Sequence, residues 1–216
     1  MPRLVRDKFT RVLSEYRQAM EYTADFPASR HNLGNLYAET GQDDRAVENY
    51  RKAIAIDDQF YPAKVNLAML YNRQGKNDRA EKLLRQVVTA HPNLHEIKYS
   101  LGLLLAEENK YEQAVVYLRQ ASENLPQRSR IHYNLGLLLQ QLNRDPEAEA
   151  ALKKALEIEP DQPDYLYALA VFYVNARRLD DAEQIAEQMI TKHPSWPAGH
   201  ELLAFIQRQS SAKAEP

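Results

Sequence analysis

The amino-acid sequence predicts an all-α fold built from a repeated pair of helices. A segment of 34 residues recurs in register from Pro27 to Trp196, and its apolar residues stand three and four positions apart. Most copies also carry a proline near their end. Spacings of three and four residues place side chains on one face of an α-helix. A helical pair that repeats without insertion predicts a stack of helix pairs and not one globular core.

Five full repeats align without insertion, over residues 27–60, 61–94, 95–128, 129–162 and 163–196. Before them, residues 1–26 fit one amphipathic helix equivalent to the second half of a further repeat. After them, residues 197–209 fit a first helix with a polar outer face that caps the stack, followed by a polar tail over residues 210–216. We therefore predict twelve helices in one array over residues 1–209. The half repeat at the start has two interpretations, a natural end cap or a domain cut from a longer protein.

The fourth repeat shows the two helices and the turn between them. Its apolar positions are Ile131, Leu135, Leu138 and Leu139 in the first half and Ala148, Ala151, Leu152 and Ala155 in the second. Asn143 is expected in the left-handed conformation that closes a helix. Asp145 is expected to cap the second helix, with Pro146 in its first turn, and Pro160 to end it.

Small residues recur where the two helices of a repeat must approach closely. Counting from the first residue of each repeat, position 8 is Gly34, Ala68, Gly102, Gly136, Ala170 and Ala204, and position 20 is Ala46, Ala80, Ala114, Ala148 and Ala182. Position 7 is leucine throughout, which predicts a core position. Position 32 is Pro92, Pro126, Pro160 and Pro194 in the last four repeats.

These offsets resemble the tetratricopeptide repeat, which has Leu-Gly, an aromatic residue, two alanines and a closing proline at this spacing. The resemblance covers nearly the whole chain and implies an α-solenoid of helix-turn-helix repeats wound as a right-handed superhelix. The sequence departs from the family pattern at position 4. The usual tryptophan is replaced there by Arg30, Lys64, Lys98, His132, Leu166 and His200.

Composition narrows the function classes. The formal net charge is -2 with 27% charged residues, so there is no global basic field for nucleic acid. Residues 61–94 hold six Lys or Arg against Asp78 and Glu81, a local net charge of +4. We interpret this as a solvated helix surface; the alternative is an anion-binding patch. No apolar run reaches the roughly 20 residues needed to span a bilayer, so no direct membrane insertion is expected.

Catalytic and cofactor chemistry is sparse. Cysteine is absent, which excludes disulfides, thiol nucleophiles and covalent haem attachment within this chain. Five of the six glycines fall on repeat positions, so no phosphate loop is left over. His91 and His95 are four apart, but Pro92 separates them, and a metal site needs more ligands. We predict no catalytic, cofactor-binding or metal residues and no enzymatic activity.

The resemblance implies a groove for a bound peptide, lined by the first helices at positions 2, 5, 6, 9 and 12. Tyrosine offers contact area plus a hydroxyl, and asparagine both donates to and accepts from a peptide backbone. An equally weighted alternative is that the tyrosines pack neighbouring first helices together. The candidate groove residues are His31, Asn32, Asn35, Asn66, Met69, Tyr99, Leu103, Tyr133, Asn134, Leu137, Tyr167 and Val171.

A terminal-carboxylate ligand is disfavoured in that groove. Chaperone-binding members of the family hold such a ligand with Lys, Asn, Asn, Lys and Arg across three repeats. Asn35 and Asn66 match the two amides, but His31 replaces the first lysine, and Glu96 and Ser100 stand where basic residues belong.

Two function hypotheses follow. The first is a non-catalytic protein-protein interaction scaffold that binds a polypeptide segment in its concave groove. The second rests on a fainter resemblance of EYRQAMEYTADFPASRHNLGNLYAETGQ and YSLGLLLAEENKYEQAVVYLRQA to the tail of bacterial multihaem cytochromes. It makes the chain a docking domain of a larger redox enzyme whose haem lies outside this chain. The expected partner is another protein or peptide, the expected state is a monomer or weak dimer, and the compartment, cytoplasmic or periplasmic, is left open.

Overall fold

A computed structural model describes residues 14–15, 18–19 and 26–214 of the chain. Within these ranges it contains eleven numbered helices and no strand, which confirms the all-α repeat fold. Residues 14, 15, 18 and 19 are helical, and the rest of the helix predicted over residues 1–26 lies outside the described residues. No described helix is long and apolar enough to cross a bilayer.

The helices alternate as first and second members of the repeats. They are α1 (Pro27–Glu39), α2 (Asp43–Ile56), α3 (Tyr61–Arg73), α4 (Asn77–Ala90), α5 (His95–Glu107), α6 (Tyr111–Asn124), α7 (Ser129–Gln141), α8 (Asp145–Ile158), α9 (Pro163–Asn175), α10 (Leu179–Lys192) and α11 (Pro197–Ala214). Every first helix begins at the first residue of its repeat. Helix α11 continues five residues beyond the predicted end at Gln209, because SSAKA contains no proline or glycine to stop it and Ser211 Oγ donates to the Gln207 carbonyl at 2.9 Å.

The turns between paired helices use left-handed residues. Asn143 has a φ of 55°, as predicted, and Gly41 and Gly75 take the equivalent place with φ of 73° and 69°. The expected cap by Asp145 is wrong: Asp145 is the first helical residue, and the N-cap is Arg144 without a side-chain cap bond. The Asp145 carboxylate therefore lies in the first turn of the helix, where the positive end of the helix dipole stabilises its negative charge.

Contacts divide the chain into an N-terminal unit (Met1–Leu104) and a C-terminal unit (Leu105–Pro216). In the N-terminal unit α1 packs on α2, α2 on α3, and α3 on α4. In the C-terminal unit α6, α7, α8, α9, α10 and α11 pack in the same consecutive order. The helices of each unit thus form a repeat stack, whereas one array over residues 1–209 and its superhelical hand remain predictions.

The small residues sit where helices meet. A Cβ on Gly34 would lie 2.5 Å from the Tyr50 ring, and one on Gly136 would lie 2.7 Å from Leu152 Cγ. Ala46 and Ala148, at position 20, are completely buried. Close helix approach is therefore the reason for the small side chains at both positions, because interiors leave no space for added atoms.

Candidate functional site

The C-terminal unit has an apolar pocket between the first helices α9 and α11. Its volume is ≈ 380 Å³, and it is lined by Tyr167, Val171, Val174, Asn175, Ala198, Glu201, Leu202 and Phe205. Tyr167 is 42% exposed and Phe205 is 41% exposed, which is high for aromatic side chains. Tyr167 and Val171 were predicted groove residues, whereas Phe205 was missed. The repeat offset identifies it, since Phe205 occupies position 9 of the partial last repeat.

Tyr133 does not lie in that pocket. Its ring stacks on Tyr165 with centroids 4.8 Å apart, and the Arg130 guanidinium lies over both rings at 5.7 and 5.8 Å. Burial raises the pKa of the Tyr133 hydroxyl, and the nearby Asp164 carboxylate acts in the same direction. Tyr133 therefore packs α7 against α9, the alternative role considered for these tyrosines.

The remaining predicted residues of the C-terminal unit differ in exposure. Leu137 is 37% exposed and lines a cleft of ≈ 660 Å³ together with mostly polar neighbours, among them Gln140 and Asn175. Asn134 is half-buried. Within the C-terminal unit, the exposed large apolar side chains of the described first helices are thus Leu137, Tyr167 and Phe205.

In the N-terminal unit the predicted groove residues form a polar network. The Asn66 amide contacts His31 Nε2 at 2.9 Å and donates to Asn35 Oδ1 at 2.7 Å. The Tyr50 hydroxyl donates to the same Asn35 oxygen at 2.9 Å. The amide nitrogen of Asn66 is therefore used inside the protein, and a ligand must compete for it or use another atom.

The environment of His31 favours its neutral form. Its ring lies 5.6 Å from the Phe60 ring and 5.9 Å from the Tyr50 ring, centroid to centroid. Burial lowers the pKa of His31, and a side-chain hydrogen bond with Asn32 partly opposes that shift. A neutral imidazole with its proton on Nδ1 accepts the Asn66 bond at Nε2.

The other predicted residues of this unit lie on three first helices. Asn32 in α1 and both Tyr99 and Leu103 in α5 are half-buried. Met69 in α3 is 62% exposed. Their first-helix placement agrees with the predicted face, while their role in binding stays a proposal.

The histidine pair considered for metal binding is held apart by the repeat boundary. His91 is the C-cap of α4, with its ring 5.1 Å from the Tyr61 ring, and His95 begins α5. Within the described residues no group of three or more His, Asp or Glu side chains is arranged to hold a metal ion.

Solved structures share this fold at low sequence identity. YrrB, described as a tetratricopeptide repeat protein with an unusual peptide-binding site, has a TM-score of 0.74 and 20% identity over 86% of this chain and 96% of that chain. MamA has a TM-score of 0.74 and 20% identity over 78% of this chain and 92% of that chain. The pilF protein of Pseudomonas aeruginosa has a TM-score of 0.66 and 22% identity over 94% and 93%. At these identities the likeness shows the fold alone.

The sequence itself matches a family model. No curated protein sequence matches the chain closely. Models described as tetratricopeptide repeat match residues 27–60, 44–102, 105–166 and 146–206. These matches span most of the chain, so the chain belongs to the tetratricopeptide repeat family.

Proposed function

We propose that the chain is a non-catalytic interaction scaffold that binds a segment of another polypeptide on its first helices. The observation that carries this proposal is the apolar pocket of the C-terminal unit, where Tyr167 and Phe205 are each about two-fifths exposed. Leaving aromatic area in water forgoes the stabilisation of about 25 cal/mol per Å² that burial gives. An apolar side chain of a bound segment would recover it.

The pocket is suited to one apolar anchor with a polar flank. Val171 and Leu202 supply aliphatic surface beside the two aromatic rings, and Glu201 is the one charged residue among the lining side chains. A peptide with an apolar residue next to a basic residue matches this arrangement. Aromatic anchors in such pockets commonly dominate binding energy. YrrB, which shares this fold, is described as having an unusual peptide-binding site, and this supports a peptide as the class of ligand.

The polar network of the N-terminal unit supports a second contact, made with the backbone of a bound polypeptide segment. Asn66 and Asn35 lie on the first helices of adjacent repeats, and the Asn35 amide nitrogen and the Asn66 carbonyl oxygen take no part in the bonds with His31, Tyr50 or each other. An extended backbone beside them would add to the network. The exposed Met69 supplies adaptable apolar area next to it.

The test uses a peptide selected from a displayed library against the purified chain. We expect Tyr167→Ala combined with Phe205→Ala to weaken the selected peptide by roughly 2 kcal/mol, about thirtyfold in Kd, because both anchors are lost. Isothermal titration measures the affinity, and circular dichroism checks that helicity is retained. The matched control combines Ile56→Ala with Val116→Ala, which removes apolar side chains of similar exposure, 43% and 52%, from second helices.

Equal weakening by the pocket pair and the control pair would contradict the proposal. So would a pocket pair that lowers the unfolding midpoint while the affinity stays unchanged, since the two aromatics would then be packing residues.

A further inference from the structure

The N-terminal unit has a cleft between α2 and the start of α4, lined also by Tyr71 near the end of α3. Its volume is ≈ 570 Å³, and Tyr71 forms its floor with only 5% of its surface exposed. Arg51 Nη2 donates to the Tyr71 hydroxyl at 2.8 Å. Lys76 Nζ and Arg79 Cζ lie 5.9 and 5.8 Å from the centre of the Tyr71 ring. Three cations therefore converge on one buried tyrosine.

No carboxylate among the described residues bonds any of these three cations. Arg51 contacts the Tyr71 hydroxyl, Lys76 donates to Gln74 Oε1 at 2.8 Å, and Arg79 contacts the Tyr71 ring. The tyrosine oxygen accepts a bond, but no acceptor in the described part of the chain takes its proton. Four donor groups thus face the same space, and within the described residues none of them bonds a carboxylate.

Two carboxylates lie at the rim of the cleft. Glu48 bonds Lys52 at 2.5 Å, four residues along α2, and Asp44 makes no bond to Arg51, Lys76 or Arg79. The lining side chains still carry four cations against these two anions, so the cleft retains a net positive charge.

The C-terminal unit contains the same arrangement with a carboxylate in place. Tyr173 is 4% exposed, and Arg178 and Lys153 lie over its ring at 4.5 and 5.9 Å. Glu149 accepts bonds from the Tyr173 hydroxyl at 3.0 Å, from Lys153 at 2.6 Å and from Arg178 at 2.7 Å. Arg178 also bonds Asp181 at 2.6 Å. This site holds two carboxylates around one tyrosine.

The two sites occupy identical positions of the repeat. Tyrosine stands at position 11, with one cation at position 25 of the preceding repeat and another at position 16. The carboxylate positions differ, because Val47 replaces the equivalent of Glu149 and Arg79 replaces the equivalent of Asp181. The corresponding pairs, N-terminal first, are Tyr71 and Tyr173, Arg51 and Lys153, Lys76 and Arg178, Val47 and Glu149, and Arg79 and Asp181.

The other cations at position 25 confirm that a carboxylate is their ordinary partner. Arg85 bonds Glu81 at 2.6 Å, and Arg119 bonds Glu147 at 2.5 Å. Among the described cations at this position, Arg51 alone lacks a carboxylate partner. By analogy with these repeats, we expect a carboxylate to be the partner of the cations around Tyr71.

We propose that the cleft around Tyr71 binds carboxylates from an acidic segment of a partner polypeptide, with two neighbouring Asp or Glu side chains taking the places of Glu149 and Asp181. The Tyr71 hydroxyl donates to the first carboxylate, Arg51 and Lys76 bond it from the sides, and Arg79 holds the second. Charge-assisted bonds of this kind are short and strong. None of the residues that line the cleft belongs to the first-helix site proposed above, so the two proposals are independent.

The experiment is a nuclear magnetic resonance titration of the whole chain with acetyl-Glu-Glu-amide. The observed resonances are the side-chain Nε–H groups of Arg51 and Arg79 and the Tyr71 ring. We expect saturable shifts with this probe and none with acetyl-Gln-Gln-amide. The resonances of Tyr173 and Arg178 are an internal control that should not move, because Glu149 already occupies their site. No shift at Arg51, Arg79 or Tyr71 would overturn the proposal.

A matched pair of variants tests whether the cleft is the receptor. Val47→Glu supplies a carboxylate at the position of Glu149, and we expect it to weaken the dipeptide at least about tenfold. Val47→Gln fills the same space without a charge, so it should weaken the dipeptide less than Val47→Glu does. Binding of the dipeptide by Val47→Glu as tight as by the unchanged protein would overturn the proposal. Arg79→Glu, which copies the carboxylate of Glu147 at the same repeat position, replaces Val47→Glu should that variant fail to fold.

Two further measurements test the proposed carboxylate site independently of these binding experiments. The carboxyl group introduced by Val47→Glu should titrate well below its ordinary pKa, as Glu149 does; titration at the ordinary value would contradict an oxyanion receptor. Inorganic phosphate at the same concentration should bind more weakly than the dipeptide. Phosphate binding as tight as the dipeptide would contradict recognition of a polypeptide carboxylate and identify a general anion site.

Discussion

Tyr71 in the N-terminal unit and Tyr173 in the C-terminal unit share one repeat position but differ in the charges around them. Both are nearly buried and both lie under two cations. Only Tyr173 donates to a carboxylate of its own unit, that of Glu149 at 3.0 Å. The repeat thus fixes where side chains stand, and single substitutions decide whether a site is satisfied within the protein.

The first helices of the two units show the same contrast. In the N-terminal unit His31, Asn35 and Asn66 bond to one another. In the C-terminal unit Tyr167 and Phe205 leave apolar area exposed beside a pocket. First-helix residues therefore form a hydrogen-bonded polar network in one unit and an apolar pocket in the other.

The largest expected effect tests whether paired helices approach equally closely at position 20 in both units. Ala46→Leu and Ala148→Leu add three carbons at fully buried sites of the two units, and each should cost about 1 to 3 kcal/mol through overpacking. Urea denaturation followed by circular dichroism measures both. The control is Ala150→Leu, an exposed position on the same helix as Ala148, which should leave the midpoint nearly unchanged.

A midpoint that drops for one of the two buried alanines and not the other would break the comparison. The two units would then not share a helix-helix geometry at position 20.

The second-largest effect tests the site around Tyr173 in the C-terminal unit, where Glu149 is the carboxylate partner. A hydrogen bond from Lys153 is the main cause that lowers the pKa of Glu149 to about 2, and bonds from Tyr173 and Arg178 act in the same direction. Glu149→Gln should cost about 1 to 2 kcal/mol near neutral pH, because three donors lose a charged acceptor. Urea midpoints at a series of pH values measure this cost.

The sign of its pH dependence follows from linkage. The pKa of Glu149 has its ordinary value of 4.5 in the unfolded chain and is lowered to about 2 in the folded chain. The stabilisation is present above the ordinary value and is lost as pH falls through this window. Stabilities of Glu149→Gln and the unchanged protein should therefore converge toward pH 2, and a constant difference would contradict the assignment.

The smallest effect concerns His31 in the N-terminal unit. Burial lowers its pKa below the ordinary 6.5, so the unfolded chain takes up the proton first as pH falls. Stability should decline below that value by less than about 1 kcal/mol, and His31→Gln should remove this decline. His200→Gln, an exposed position, is the matched control. Thermal unfolding from about pH 7 to about pH 5 tests it, and an unchanged slope in His31→Gln would contradict it.

Local features of the sequence were enough to predict the helices and their spacing. The first residue of each first helix, the left-handed Asn143 and the close approach at Gly136 all follow from turn propensity and residue size. The cap expected of Asp145 was wrong by one residue, since position 16 is the N-cap of every second helix and Arg144 occupies it in this repeat.

The sequence predicted which face of the first helices carries the candidate site, but not which residues of that face are exposed. The periodicity placed Tyr133 and Tyr167 at one repeat position, but Tyr133 stacks on Tyr165 while Tyr167 is exposed beside the pocket. Position 9 of the repeat identified Val171 and would have identified Phe205 in the partial last repeat. Which residues of a helix face are buried depends on side chains of the next repeat. The repeat pattern does not specify the size of those side chains.

The sequence by itself determined the repeat, the helical register and the small residues between paired helices, because these depend on propensities and spacings within one repeat. The tertiary structure decided which polar groups meet: Asn66 with His31, Arg119 with Glu147, and Glu149 with Tyr173. These partners are separated by 35, 28 and 24 residues. A side chain has several possible partners at such separations, and only the packing of one helix on another selects among them.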